Sequence, residues 1–412
     1  MPTRPDIIAA QVRRPLDALN FFLADVRDGL GPYLAIYLLT VQRWDEASIG
    51  LVMSIATLAG LLAQTPAGAL VDATRAKRAL VAGAALVVTI ASLVLPWVPS
   101  FWPVALSQAT AHAAAAILAP AIAAITLGTV GHAAFSHRIG RNESFNHAGN
   151  AFAAAAAGIS AFIWGPVVVF FLLAAMSVAS LFTVFAIPAN AINYDRARGL
   201  DGDAQVRGAQ GKVSEQPSGL SVLITCRPLL IFAACAVLFH FANAAMLPLV
   251  GQKLSLMSAC IVAAQIVMVP MALLVGAKAD SWGRKPLFLG GLVILPIRGV
   301  LYTLSDDPYW LVAVQLLDGV GAGIYGAIFP IIVADLMRGT GRFNLAQGAV
   351  ITAQGIGAAL STTVAGFVVV SAGYSAAFLT LAGVAAAGLL LFWFAMPETR
   401  DENAVRVDRR EC

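Results

Sequence analysis

Acidic and basic side chains are concentrated at one point in the first long apolar run of the sequence. Asp25, Arg27 and Asp28 follow one another closely, and Asp25 and Asp28 are one helical turn apart. If Arg27 pairs with one acid, the other is left over, and removal from water disfavours its charged form. Asp28, followed by Asp25, is therefore a candidate for taking up and releasing protons. The alternative is a structural ion cluster at a helix end.

Polar side chains also occur inside several other apolar runs. Gln108 and His112 lie on adjacent turns of one helical face, and so do Asn146 and Asn150. Polar groups at bilayer depth are costly, so they are expected to line a cavity or to satisfy one another by hydrogen bonds. The predicted cavity and substrate residues are Arg27, Gln108, His112, Asn146, Asn150, His240, Asn243, Gln265 and Gln354.

Two further charges of opposite sign are expected to meet. Arg298 lies about midway along one apolar run and Asp318 lies at a similar depth in the next. Neighbouring helices would place them at one level, which predicts a structural ion pair. The alternative is a pair that opens when substrate or a proton binds, because separating such a pair leaves a buried charge uncompensated. Asp318 is for this reason a third candidate for proton coupling.

The elements that carry these residues are predicted by composition. Hydrophobic residues make up 59 % of the 412 residues, charged residues only 12 %, and the mean hydropathy is +0.82. A soluble domain has roughly a quarter charged residues, so the chain is predicted to be an all-α integral membrane protein. Twelve runs are long enough to cross a bilayer: 16–41, 48–71, 79–98, 102–128, 144–165, 166–189, 228–250, 257–279, 286–304, 309–334, 345–370 and 374–396.

A single long polar stretch divides these runs into two sets of six. The predicted organisation is an N-terminal bundle at 1–189, a flexible cytoplasmic linker at 190–227 and a C-terminal bundle at 228–412. With both termini in the cytoplasm, the opposite side of the membrane has only Arg43 and Lys253 as cations in its connections. We expect a multi-pass protein of the inner membrane without a cleaved signal peptide.

Motifs for enzymatic chemistry are absent from the sequence. There is no nucleophile elbow, no His-Glu-x-x-His pair and no phosphate-binding loop, and the four cysteines lack metal-ligand spacing. The chain is therefore predicted not to be an enzyme, to hold no cofactor or resident metal and to bind no nucleic acid. Any energy it uses must come from a gradient.

The charged connections 68–78 and 276–285, here called the first and second signature loops, are imperfect copies of each other. The second has Gly276, Asp280, Gly283, Arg284 and Lys285. The first has Gly68, Asp72 and Lys77, with Arg75 in place of the turn glycine and Ala76 in place of the arginine. Two copies about half a chain apart indicate an internal repeat.

These loops resemble the signature between the second and third helices of each half of the major facilitator superfamily. The resemblance implies two six-helix bundles around a central cavity that opens alternately to the two sides, with both loops taking part in gating. Gly149, Gly158 and Gly165-Pro166 resemble in part the glycine-rich fifth helix of drug-type antiporters, although Pro166 comes three residues late and Val168 and Val169 replace a glycine pair.

The expected activity is secondary active transport by a monomer embedded in the lipid bilayer. Our first hypothesis is proton antiport that exports a small organic molecule. The second is proton-coupled transport of a metal ion or metal chelate, with Asp25, Asp28, His112 and His240 as ligands. The third, from another class, is a membrane receptor or assembly subunit that transports nothing.

Overall fold

The computed structural model describes residues 4–28, 30–200, 217–253 and 257–400, and all regular structure in them is helical. Two short 3-10 helices lie at Leu95–Trp97 and Ala189–Ala191. The α-helices are α1 Arg4–Asp28, α2 Gly31–Thr40, α3 Glu46–Ala73, α4 Lys77–Leu93, α5 Phe101–Ala115, α6 Leu118–Trp164, α7 Val168–Ala186, α8 Tyr194–Ala197, α9 Val222–Thr225, α10 Arg227–Ala244, α11 Met246–Lys253, α12 Met257–Trp282, α13 Arg284–Leu301, α14 Pro308–Leu336 and α15 Phe343–Ala395.

Each of the twelve predicted spans coincides with helical structure. By length and composition, eight described helical stretches could cross a membrane, and two of these, Phe101–Trp164 and Phe343–Ala395, each contain two predicted spans. The first predicted span corresponds to α1 and α2, and the ninth to α13. The structure is that of an all-α, multi-pass membrane protein.

Single glycines separate two pairs of spans that run on with almost no loop. Gly131 within α6 has φ 72° and ψ 174°, and Gly373 within α15 has φ 85° and ψ 174°. Glycine reaches positive φ at little cost, so one residue suffices to redirect the chain. From their apolar residues, the fourth predicted span ends at 128 and the fifth begins at 144. In the structure, residues 132–143 between them are helical as well. Their polar side chains end the apolar run without ending the helix.

The chain forms two compact units, and each combines separate segments of sequence. Unit 1 consists of Met1–Gly131, Phe145–Val213 and Gly341–Gly348. Unit 2 consists of His132–Ser144, Ser214–Thr340 and Ala349–Cys412. Each unit therefore includes a short stretch that lies in the other half of the sequence.

Small residues allow the helices within each unit to approach closely. In unit 2, α12 packs on α14, where a Cβ added to Gly319 would lie 2.5 Å from the Ala264 carbonyl oxygen. In unit 1, α3 packs on α5, and a Cβ at Gly60 would lie 3.2 Å from that of His112. Close packing of this kind replaces the hydrophobic effect as the force that associates helices in lipid.

Candidate functional site

The side chain of Arg298 is the centre of a polar network inside unit 2. Arg298 is only 2 % exposed, and its Nη1 donates a hydrogen bond to Oδ1 of Asp318 on α14. Its Nη2 donates to Oδ1 of Asn243 on α10 at 2.6 Å and lies 3.2 Å from the sulfur of Met246. Three helices, α10, α13 and α14, thus supply the members of one ion pair and its neutral neighbour.

The network continues from Asp318 through two side chains that the sequence reading did not select. Gln315 Nε2 donates to Oδ2 of Asp318 at 3.0 Å, and the Tyr302 hydroxyl donates to Gln315 Oε1 at 2.5 Å. Both Asp318 oxygens therefore accept hydrogen bonds. Arg298 Nε, in contrast, has no hydrogen-bond partner among the described residues. Protonation of Asp318 would leave the buried guanidinium without its counter-charge, which is costly.

A second cluster in unit 2 contains His240, Tyr325 and Gln354. The Tyr325 hydroxyl donates to Gln354 Oε1 at 2.8 Å, and the His240 ring meets the Tyr325 ring edge-on at a centroid distance of 4.8 Å. His240 Nδ1 lies 3.0 Å from the Ala236 carbonyl oxygen of its own helix. Since His240 and Asn243 are both on α10, one helix contributes to both of these clusters.

The polar residues of α5 lie within unit 1. His112 Nδ1 is 3.0 Å from the Gln108 carbonyl oxygen, one turn earlier in the same helix. The Gln108 side chain is 3 % exposed, and its Nε2 has no hydrogen-bond partner in the described part of the chain. An unsatisfied amide of this kind is costly in a membrane interior unless a ligand or water completes it.

The acidic end of α1 packs beside the polar part of α6. A Cβ on Gly149 would lie 2.1 Å from the Phe21 carbonyl oxygen, and the Tyr33 hydroxyl donates to the Ala154 carbonyl at 3.0 Å. Asn146 is buried and Asn150 half-buried on this stretch of α6. Three more of the predicted residues are half-buried: Asp25 and Arg27 on α1, and Gln265 on α12. Asp28 ends α1, and its side chain is outside the described residues.

Comparison with known proteins decides the family. The sequence profile described as Major Facilitator Superfamily matches residues 17–297 and 229–411. The chain belongs to the major facilitator superfamily. Two uncharacterized MFS-type transporters of Mycobacterium tuberculosis, from strains CDC 1551 / Oshkosh and ATCC 25618 / H37Rv, are each 56 % identical to it over 98 % of this chain and 97 % of their own. It is an MFS transporter and not an enzyme.

Two solved structures have the same fold. The MFS proton:xylose symporter XylE bound to 6-bromo-6-deoxy-D-glucose has a TM-score of 0.71 at 10 % identity, over 95 % of this chain and 96 % of that one. The MFS transporter FucP in the outward conformation has a TM-score of 0.69 at 14 % identity, over 92 % and 97 %. At these identities the likeness concerns the fold alone.

The second signature loop of this MFS transporter is organised around Arg284, which is buried. Its Nε donates to Asp335 Oδ2 and its Nη1 pairs with Asp280 Oδ1, both at 2.9 Å. Gly283 has φ 97°, so a side chain there would be strained. Glu398 accepts from the backbone N–H groups of Arg284 at 2.9 Å and Lys285 at 3.0 Å, which caps the start of α13.

The first signature loop contacts the start of α15 within unit 1. Asp72 is 7 % exposed and accepts hydrogen bonds from Asn344 and from the backbone N–H of Leu345. A Cβ on Gly68 would lie 2.1 Å from the Asn344 carbonyl oxygen, so only glycine permits this approach. Burial raises the pKa of Asp72 to about 6, although the hydrogen bonds from Leu345 and Asn344 oppose this rise.

A cation reaches the same backbone position in both loops. Lys77 Nζ donates to the Val71 carbonyl at 2.6 Å, directly before Asp72. Arg284 Nη1 donates to the Ala279 carbonyl at 2.8 Å, directly before Asp280. The lysine of the first loop thus makes the bond that the arginine makes in the second. Burial lowers the pKa of Lys77 to about 8, while the nearby Asp72 opposes this fall.

Metal-binding geometry does not emerge among the described residues. No group of three or more histidine, cysteine, aspartate or glutamate side chains in that part of the chain could hold a metal ion. Asp25, His112 and His240 are all among these residues, whereas the side chain of Asp28 is not.

Proposed function

We propose that this MFS transporter is a proton-coupled antiporter that exports a small organic molecule across the inner membrane by alternating access. Both termini are cytoplasmic in this proposal, and the chain acts as a monomer. The bundles are those expected from the sequence, 1–189 and 228–412, joined by the linker 190–227. Protons and a small-molecule substrate are its partners, and it needs no cofactor.

The observation that supports proton coupling is the network around Arg298. A buried ion pair is costly in lipid. It can act as a switch only if one of its two members can be neutralised. Asp318 can be neutralised by a proton, whereas arginine keeps its charge. Ionised Asp318 can also accept a hydrogen bond or a positive charge from a substrate, and a proton on Asp318 removes that charge and releases the substrate. Proton and substrate would then compete for Asp318, as antiport requires.

The other predicted residues have supporting roles in this proposal. Asp25 and Asp28 are additional proton-coupling candidates, and Arg27, Gln108, His112, Asn146 and Asn150 contribute polar groups for substrate. Unit 2 contributes His240, Asn243, Gln265 and Gln354. The unsatisfied Nε2 of Gln108 and the half-buried state of His112 and Asn150 favour contact with a ligand or water. The two signature loops gate access.

The test is transport by the purified protein in liposomes. A panel of small organic solutes is offered with and without an imposed pH gradient, and a pH-sensitive dye reports proton movement. With the transported solute, Asp318→Asn should lose gradient-driven accumulation by about tenfold or more while solute exchange across the membrane continues. Glu46→Gln, a change at an exposed acid outside the predicted spans, serves as the matched control and should retain both activities.

The outcomes separate the alternatives. Solute and protons that move in the same direction would replace antiport by symport, and because XylE is a proton:xylose symporter, pentoses and hexoses belong in the panel. Transport of divalent cations or their chelates would favour the metal hypothesis. If none of the solutes in the panel is transported, the receptor hypothesis is favoured. Unchanged gradient-driven accumulation in Asp318→Asn would reject Asp318 as the coupling residue. The same assay on Asp25→Asn and Asp28→Asn ranks the other candidates.

A further inference from the structure

We infer that a basic pocket beside the first signature loop binds the headgroup of an anionic phospholipid. This pocket, here called the arginine pocket, has a volume of about 160 Å³. Its lining residues are Arg75, Ala76, Arg78, Ala79, Phe185 and Tyr194, all within unit 1. The inference does not depend on the proposed transport cycle, because it requires only that the protein lies in a membrane.

The two arginines have donors available for a phosphate group. Arg75 is exposed, and its side chain makes no hydrogen bond or ion pair with any described residue. Arg78 is half-buried, and its Nη1 donates to the Ile187 carbonyl at 2.7 Å. That bond fixes the side chain at the pocket and leaves the other guanidinium N–H groups for a ligand. Arginine binds phosphate oxygens in a bidentate manner, with charge as well as geometry in its favour.

Acidic side chains near the pocket are engaged elsewhere. Asp195, next to Tyr194, pairs with Arg198 at 2.7 Å. Asp72 accepts hydrogen bonds from Asn344 and Leu345 and is buried. Among the residues that the structure describes, no carboxylate lines the pocket. An anion that enters it therefore meets two arginines and Tyr194.

The position of the pocket favours a lipid over a free phosphate ion. It lies where α4 begins and α7 ends, at the ends of two predicted spans on the side predicted to be cytoplasmic. Phe185, near the end of α7, is 55 % exposed and gives the pocket an apolar margin that an acyl chain can cover. Basic pockets between membrane helices on the cytoplasmic side suit anionic headgroups, and aromatic side chains are common at this depth.

The first signature loop differs from the second at the turn that borders the arginine pocket. Arg75 occupies the position at which the second loop has Gly283, whose φ of 97° excludes most side chains. Arg75 has no positive φ, so the first loop can carry a cation at its turn without strain. A glycine at 75 would remove one of the two charges of the arginine pocket.

Native mass spectrometry of the full-length protein in detergent tests the inference. Phosphatidylglycerol and phosphatidylcholine are titrated separately, and the first bound lipid is quantified. Arg75→Gln/Arg78→Gln should bind phosphatidylglycerol roughly 30-fold more weakly, from about 1 kcal/mol for each arginine. Ala79→Phe, which fills the pocket and keeps both charges, should weaken binding as well. The matched control is Arg14→Gln/Arg227→Gln, which removes two exposed arginines elsewhere and should change binding less than about threefold.

Three results would overturn the inference. The first is that Ala79→Phe binds phosphatidylglycerol as the unchanged protein does, while the two double variants lose equal amounts of affinity for it. This result would indicate that diffuse surface charge, and not the pocket, attracts the lipid. Another is equal affinity for phosphatidylcholine. The third is displacement of the lipid by inorganic phosphate, which indicates a free-anion site. Because Arg78 also bonds to the backbone, thermal unfolding of each variant is measured in parallel, and Arg75→Gln alone, with an expected loss of about fivefold, replaces the double variant if that one unfolds early.

Discussion

The Asp72 carboxylate accepts hydrogen bonds from both the backbone N–H (3.2 Å) and the side-chain Nδ2 (2.7 Å) of Asn344, which is 272 residues further along the chain. A third bond comes from the backbone N–H of Leu345 at 2.8 Å. Because α15 begins at Phe343, these backbone N–H groups belong to its first turn and lack partners within the helix. A carboxylate is favourable at this helix end, where the partial charge is positive.

Removal of this carboxylate should loosen the start of α15. We expect Asp72→Ala to increase hydrogen exchange at the amides of Asn344 and Leu345 by about fivefold or more, since the loss of a capping side chain costs about 1 kcal/mol. Asp280→Ala is the control in the other loop, where the carboxylate is 52 % exposed and pairs with Arg284. The control should leave exchange at 344–345 unchanged. Equal exchange in both variants would show that the Asp72 bonds do not hold this segment.

The same contact should depend on pH. The pKa of Asp72 is raised to about 6, above its ordinary value of 3.8, so the docked state binds more protons than an undocked state in this interval. The cost of burying the charge is therefore complete above about pH 6 and disappears as the pH falls toward 4. Lys77, with its pKa lowered from 10.5 to about 8, has the opposite dependence: its cost is complete below about pH 8 and disappears as the pH rises toward 10.5.

Protection factors at Asn344 and Leu345, measured between about pH 5 and pH 8, test this expectation. Protection should rise as the pH is lowered through about 6, and Asp72→Asn should abolish this dependence because it cannot ionise. Two neighbouring charges act on this loop as well. Lys77 lowers the pKa of Asp72, and Arg198 lowers the pKa of Lys77. A fall in protection toward acidic pH would mean that hydrogen bonds to the charged carboxylate outweigh its desolvation.

The Arg298 network should respond differently to single and paired changes. Arg298→Met alone leaves Asp318 buried without a cation and is expected to reduce the free energy of unfolding by about 3–5 kcal/mol. Arg298→Met/Asp318→Leu replaces both charges by apolar groups and should recover most of that loss. Thermal unfolding in detergent measures both variants. If the double variant recovers stability and still fails to transport, the pair has a role beyond holding α13 and α14 together, whereas recovered transport would make it structural.

The close approach of two glycines in unit 2 should tolerate no side chain. A Cβ on Gly140 would lie 2.4 Å from the Gly276 Cα and 2.5 Å from the Ala272 carbonyl oxygen. Gly140→Ala should therefore destabilise the protein by about 1–3 kcal/mol, as overpacking does. Gly290→Ala on α13 is the control, because no described residue beyond its chain neighbours and its own helix backbone lies within 4 Å of the added atom. If the melting temperatures of the two variants are equal, the helices can separate at Gly140 without cost.

Much of the helical framework is predictable, because a run of about 20 apolar residues in lipid has few alternatives to a helix. Where helices end is less predictable: α1 begins at Arg4, well before the apolar run, and residues 132–143 stay helical although they are polar. The superfamily was predicted from the two signature loops and is confirmed by the comparison with known sequences.

Side-chain contacts are less accessible from sequence than the helices that carry them. Arg298 and Asp318 could be matched because charges at equal depth must be neutralised. Gln315 and Tyr302 could not, because uncharged polar groups occur in many packing roles and their rotation about the helix axis is unknown. Asn344 is 272 residues from Asp72 and has no local pattern that points to it. The roles assigned to the site residues remain predictions until transport is measured.

The bonds from Lys77 to Val71 and from Arg284 to Ala279 indicate how duplicated loops can diverge. In the aligned repeats Lys77 and Arg284 stand one position apart, yet their charged groups bond to equivalent backbone carbonyl groups. After such a loop is duplicated, the arginine of one copy can be replaced once the neighbouring lysine makes its bond to the backbone carbonyl. Each intermediate sequence then retains a cation for this bond. The residues at positions 75 and 76 can then change and take on other functions.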